Sequence, residues 1–277
     1  MNLQILQMIN KHPHLLNFYG CCYHRNKVYT VVQRAVLGNL HEHLIQIQES
    51  RGSLNLNISL EVAAQINGAT LYLHDTVGVL HRNLAARNVL LFSFSDSNPR
   101  DVLVKLTDFE ISLAPSSNRF ATRWSSPEIL LRRHFSMESD VWAYGVVLWE
   151  IFTCGVLPYF EISSDEQVGQ AIVTGKRLGC PKNCPEAIFQ QMMVHCWAGP
   201  SHRPTCAALI TSLQEVVNHL SQDACVICLE RGKEVAIAPC GHLCLCQSCS
   251  ESLSQPSSSC PVCRSPVQSL LRIYSYC

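Results

Sequence analysis

The chain has 277 residues, 47% hydrophobic and 15% charged, with a formal net charge of zero. That length accommodates one large domain or a large and a small one, and the apolar content supplies a sizeable core. The balanced charge excludes a broad electrostatic grip on nucleic acid or anionic lipid. No membrane span is expected either: the most apolar helical stretch, residues 141–152, carries Glu150 and is far short of the roughly 20 residues a bilayer takes.

Leu3, Leu6, Met8 and Ile9 predict a helix to about Asn10, and the β-branched run at 28–32 predicts a buried strand. Residues 40–47 read as helix. Residues 59–74 read as a second, with Ser59 as its cap and Leu60, Ala63, Ala64, Asn67 and Leu71 at helical spacing. Short apolar strands are expected at 89–92 and 102–106, separated by a Ser/Asn/Pro turn. Residues 139–152 are apolar nearly all round, as a core helix is. Residues 185–197 and 206–220 are amphipathic. The pattern is α+β, with a large domain over 1–220 and a small one over 221–277. The join at Ser221–Ala224 is too short for a flexible tether, so the two are expected to sit close together.

Sixteen cysteines divide into two populations. Cys21, Cys22, Cys154, Cys180, Cys184, Cys196, Cys206 and Cys277 are scattered among apolar residues, as free thiols are in a reducing compartment. With no basic leader and apolar core in the first thirty residues, a cytoplasmic location is expected. The other eight are clustered. The order is Cys225-x-x-Cys228, Cys240-x-His242, Cys246-x-x-Cys249 and Cys260-x-x-Cys263. Thiolates two residues apart sit on a tight turn and grip one tetrahedral zinc. Cys244 lacks such a partner and is left out. His12, His14, His41, His43, His134, His195 and His219 have no ligand spacing to cysteine and read as surface or packing residues.

This pattern resembles the RING family. The resemblance implies a cross-brace of two zinc ions, one on Cys225, Cys228, Cys246 and Cys249, the other on Cys240, His242, Cys260 and Cys263. So small a region has almost no core of its own, so metal is expected to drive its folding. In RING ubiquitin ligases, including the Cbl type, three apolar positions form a groove for a ubiquitin-conjugating enzyme; here they are Ile227, Leu253 and Pro261. An arginine after the last ligand braces that enzyme against its ubiquitin, and here it is Arg264, whose planar fork donates to two acceptors at once. The tail from Cys260 to Cys277 resembles inhibitor-of-apoptosis and Mdm-type RINGs. In those the tail pairs two RINGs and a near-terminal aromatic touches the partner's ubiquitin, the place of Tyr274. A homodimer is therefore expected. RING domains also serve as plain assembly modules, so a zinc-binding scaffold is the alternative.

Residues 1–220 resemble the tyrosine-kinase family. The segment from His81 to Asn88 matches the HRDLAARN catalytic loop, Asp108-Phe109-Glu110 stands at DFG, Ser126-Pro127-Glu128 at APE, and residues 139–145 match the buried helix that follows. Cys196-Trp197 and Arg203-Pro204-Thr205 match the last helices. The resemblance implies a scaffold in which Glu128 pairs with Arg203, His81 and Phe109 sit in the core, and Asp140 holds the catalytic-loop backbone. Phosphoryl transfer depends on charge placement, and here the charges differ. Asn83 stands where a base aspartate belongs, and Glu110 replaces a glycine. Asn2 takes the place of the lysine's glutamate partner. The glycine-rich loop and phosphate-gripping lysine are expected to precede this chain, leaving the N-lobe incomplete and the face of Leu3, Leu6 and Ile9 uncovered. Asn88 and Asp108 remain as metal-ligand positions, with ATP and magnesium binding expected to be weak or absent. The expectation is a pseudokinase that chooses the protein substrate of the RING; an active tyrosine kinase with an accessory finger is the further alternative.

Overall fold

The computed structural model describes residues 7–25, 27–108, 121–228, 231–253 and 258–273. Asn2, Leu3, Leu6, Phe109, Glu110, Tyr274 and Cys277 lie outside them. Two compact units form, Met1–Leu213 and Gln214–Cys277.

In the first unit, residues 7–9 are helical. They pack on the chain rather than lying bare: Ile9 is fully buried, and the Tyr72 hydroxyl donates to the Met8 carbonyl at 2.9 Å. The uncovered face expected here fails at its one described position. β1 (Phe18–His24) and β2 (Lys27–Val32) form an antiparallel hairpin with Phe18 opposite Val32 and His24 opposite Lys27. The expected buried strand is instead an exposed one: Tyr29, Val31 and Val32 are 46%, 44% and 42% exposed. With β1 as its sole partner among the described residues, β2 has no second layer to bury it.

Helix α1 (Leu40–Arg51) starts at the Asn39 side chain, which accepts from the Glu42 N–H, and ends at Gly52 with φ 78°. Only glycine takes that conformation without strain. Helix α2 (Leu56–Tyr72) starts earlier than the sequence suggested. Its cap is Asn55, which accepts from Asn57 and Ile58 N–H, while Ser59 is buried inside the helix and donates back to the Asn55 carbonyl. Strands β3 (Val89–Ser93) and β4 (Leu103–Leu106) pair antiparallel, close to the expected bounds. After α3 (Pro127–Arg132) comes α4 (Met137–Phe152), opened by a capping box between Ser136 and Ser139. Every residue from Ser139 to Phe152 is buried. The short α5 (Asp165–Val173) buries only Val168 and Ile172 and left little periodic signal. The stretch Glu186–Ile188, Phe189–Met193, Val194–Cys196 is helical with a π-turn in its middle. α6 (Cys206–Asp223) runs three residues beyond its expected end, so most of the supposed join is helical. Ser221-Gln222-Asp223 holds no proline or glycine to stop it.

The second unit holds β5 (Val235–Ala238), β6 (His242–Leu245), α7 (Gln247–Glu251) and β7 (Ser269–Arg272), with β6 and β7 pairing on opposite sides of β5. The antiparallel sheet has the order β6-β5-β7. Its core is seven buried residues: Cys225, Val235, Ile237, Cys244, Leu245, Cys246 and Cys260.

Gly145 marks a close approach between α4 and residues 196–197. A Cβ there would lie 2.7 Å from the Cys196 Cβ and 2.8 Å from Trp197 Nε1. Gly145→Ala is expected to destabilise the first unit by about 1–3 kcal/mol, because overpacking outweighs the helix propensity gained. Thermal unfolding followed by tryptophan fluorescence checks this; an unchanged or raised midpoint would contradict it.

Candidate functional site

The RING-like unit brings all eight expected ligands into two groups. Cys225, Cys228, Cys246 and Cys249 form one, and Cys240, His242, Cys260 and Cys263 the other, with ligand atoms in each group within 4.8 Å of one another. The pairs interleave along the chain, which is the cross-brace. The Cys228 and Cys246 sulfurs are 3.8 Å apart. A tetrahedron with zinc–sulfur bonds of about 2.3 Å has edges of about 3.8 Å. His242 turns Nδ1 toward Cys260 Sγ, at 3.9 Å. The donor set is that of two structural zinc ions, closed by four protein ligands each.

Electrostatics says the same. Burial pushes the Cys225 thiol up, but N–H groups of Cys228, Cys246 and Ile227 donate to it and bring it down to about 6. Its neighbour Cys249 is pushed up to about 12, by burial and then by the adjacent thiols. Four thiolates this close cannot all ionise without a cation among them. Cys244 sits on β6 between ligands, yet it belongs to the core, and burial pushes its thiol up to about 11.

The residues matched to ligase RINGs flank these groups. Ile227 lies in the turn of the first cysteine pair and is 47% exposed. Pro261 and Arg264 are exposed at the last pair, where Arg264 takes φ 61° and its N–H donates to the Cys260 carbonyl at 2.8 Å. Leu253 follows α7 and packs partly against the core.

In the first unit, α4 organises a loop. Asp140 accepts from the backbone N–H of His81 at 2.7 Å and of Arg82 at 2.8 Å, and lies 2.9 Å from His74 Nε2. His81 is fully buried. Glu128 and Arg203 form a two-pronged ion pair, its longer arm 3.0 Å. Arg203 and Arg177 also lie over the ring of buried Trp142, at 5.0 and 4.6 Å. The Glu128–Arg203 pair, the Asp140 hold on the loop backbone and the burial of His81 are what the motifs imply; the His74 and Trp142 contacts are additional. Glu150, at the far end of α4, accepts from Ala86 N–H and Trp124 Nε1, both at 2.9 Å. Burial pushes its carboxyl up to about 7 against those two donors. Its place in the loop network was missed, although a carboxylate at the end of the otherwise apolar run 141–152 was the available signal.

Asn83, Asn88 and Asp108 do come together. Asn83 Nδ2 donates to Asp108 Oδ2, and Asn88 Nδ2 donates to the Asn83 carbonyl at 2.6 Å. Magnesium takes oxygen ligands. Here the positive end of an amide dipole occupies one of the Asp108 acceptor positions at which a cation could sit. In this arrangement Asp108 Oδ2 is satisfied by the amide rather than open to a cation.

Comparison with known proteins agrees with this division. The family described as protein tyrosine and serine/threonine kinase matches residues 1–213. The chain belongs to that family. The C3HC4-type zinc finger, or RING finger, matches residues 221–270. The chain is 33% identical over 220 residues to tyrosine-protein kinase Btk of Drosophila melanogaster, covering 76% of this chain and 27% of that protein. It is 32% identical over 237 residues to fibroblast growth factor receptor 1 of Pleurodeles waltl, covering 78% and 28%. It is 35% identical over 214 residues to tyrosine-protein kinase TXK of Homo sapiens, covering 74% and 38%. It thus spans well under half the length of these three relatives. No helix among the described residues is long and apolar enough to cross a membrane.

Elemental analysis is expected to find two zinc ions per chain. A strong chelator should abolish amide protection across residues 225–273. All four tryptophans, at 124, 142, 149 and 197, lie in the first unit, so their fluorescence should stay unchanged. Persistent protection after complete zinc removal would show that the seven-residue core folds without metal.

Proposed function

We propose that this protein is a RING-type ubiquitin ligase whose kinase-like unit binds the protein to be modified. The observation that carries the reading is the pair of complete zinc groups with Ile227, Pro261 and Arg264 exposed beside them. Such a RING does no covalent chemistry. It holds a ubiquitin-conjugating enzyme through Ile227, Leu253 and Pro261, and the Arg264 guanidinium donates to that enzyme and to its ubiquitin together, fixing the thioester in a reactive pose. Rate enhancement comes from orientation, so losing one contact is graded rather than absolute.

The kinase-like unit is read as catalytically impaired. A carboxamide at 83 has no basic lone pair to accept the hydroxyl proton, and its nitrogen is already spent on Asp108. The fold around it keeps its structural pairs, which suits a binding surface. We place the protein in the cytoplasm, where its free cysteines match a reducing environment.

The reading is tested by autoubiquitination of the full chain with a panel of conjugating enzymes. Arg264→Ala and Ile227→Ala are each expected to lower the rate about 10-fold or more, equivalent to ~1.4 kcal/mol, with zinc content unchanged. Wild-type rates in both variants would remove the mechanism.

We further propose a RING homodimer through the tail. β7 is an edge strand, and Leu271 on it and Ile273 just beyond it are 52% and 48% exposed. Leu271 and Leu243 both face Ala236 in the register, which makes an apolar row across the sheet. Tyr274, the aromatic of the analogy, follows directly on Ile273. Sedimentation of the full chain should give a dimer at micromolar concentration, and Leu271→Glu a monomer. A wild-type monomer at high concentration would sink the idea.

A further inference from the structure

Asn83 is more than a lost base. Its loop is fixed from below, because Asp140 holds the backbone N–H of the two preceding residues. From that fixed position its side chain reaches in two directions. Nδ2 donates to Asp108 Oδ2, and Oδ1 accepts from Arg87 Nη2 at 3.3 Å. The amide orientation follows from its neighbours. Turned the other way, its oxygen would face a carboxylate and its NH2 a guanidinium, and both contacts would be repulsive. Arg87 is itself held, its guanidinium 4.4 Å above the Trp124 ring. Asn88 Nδ2 is tied to the same residue through the Asn83 carbonyl. The result is a polarised chain from Trp124 through Arg87 and Asn83 to Asp108, positive at one end and negative at the other.

Consider an aspartate at 83 in the same backbone. Two carboxylates would then stand within hydrogen-bond distance, an arrangement that requires a shared proton or a cation between them. The asparagine requires neither.

We propose that Asn83 acts as a built-in substitute for a divalent cation. Its N–H dipole fixes Asp108, so this site is satisfied with no metal present and does not recruit one. The inference rests on the reading of an impaired kinase-like unit and deepens it. That reading concerns proton transfer, whereas this one concerns cation binding, and each can fail alone. It makes the loop from His81 to Asn88 a fixed element whose geometry is independent of magnesium and nucleotide.

The test reads metal binding and stability, not phosphotransfer. The full, zinc-loaded chain is melted while tryptophan fluorescence is followed, with sodium, magnesium or manganese chloride at matched ionic strength. The wild-type midpoint is expected to be the same in all three. Asn83→Asp should melt about 4 °C lower in sodium and recover most of that loss in magnesium or manganese. Asn83→Ala, which removes the amide without adding charge, should also melt lower but recover much less. A wild-type midpoint raised by divalent ions as much as that of Asn83→Asp would overturn the proposal. So would an Asn83→Asp midpoint indifferent to them. Should Asn83→Asp fail to fold, manganese titration of wild type and Asp108→Asn by electron paramagnetic resonance decides. Equal binding by the two supports the substitute; a wild-type manganese site lost in Asp108→Asn refutes it.

Discussion

The Asp140 carboxylate receives two backbone N–H groups from the loop at His81 and Arg82 and lies beside His74, all from within a helix buried along residues 139–152. A charge in such a place is costly unless each oxygen is hydrogen-bonded. Here both are, and the partners belong to a segment with little regular structure of its own. The cost of burying the charge is offset by the order it gives that loop. Glu150 does the same near the other end of the helix, holding Ala86 and Trp124. The helix therefore serves as the ruler for the loop from 81 to 88. The positions of Asn83, Arg87 and Asn88 follow from it.

The second unit uses a different constraint. Seven buried residues are far too few to order a sheet of three four-residue strands by burial alone. The two ligand groups tie together four turns distant in sequence, and the strands run between the knots. Ile227, Pro261 and Arg264 are exposed there and belong neither to the ligand groups nor to the core. That frees them to face a partner.

Much of this was legible in the sequence, for identifiable reasons. Zinc ligands declare themselves by spacing, because two thiolates on one turn need two residues between them. The C-lobe motifs are long and keep their order, so α4, the Glu128–Arg203 pair and the role of Asp140 could be anticipated. The failures have equally local causes. The run at 28–32 looked buried because β-branched residues mark strands, yet strand propensity does not report how many layers cover them. Ser59 looked like a cap because the stronger Asn55 lies four residues upstream. The RING strands escaped notice because segments of four residues are too short to show an alternating pattern. The Asn83–Asp108 bond joins residues 25 apart and depends on amide orientation, which no pattern encodes.

The Glu150 carboxyl, lifted to about 7 by burial, responds to acid in the opposite sense to the zinc ligands. A carboxyl that holds its proton more tightly folded than unfolded adds stability at low pH, and that contribution fades as pH rises from the unfolded value, 4.5, through about 7. The zinc unit runs the other way, since protons compete with metal for thiolates and imidazole. Mild acidification therefore weakens the zinc groups while it relieves this one buried carboxyl, and the rings of His12, His14, His41, His43 and His81, which burial keeps neutral, oppose that gain within the same unit.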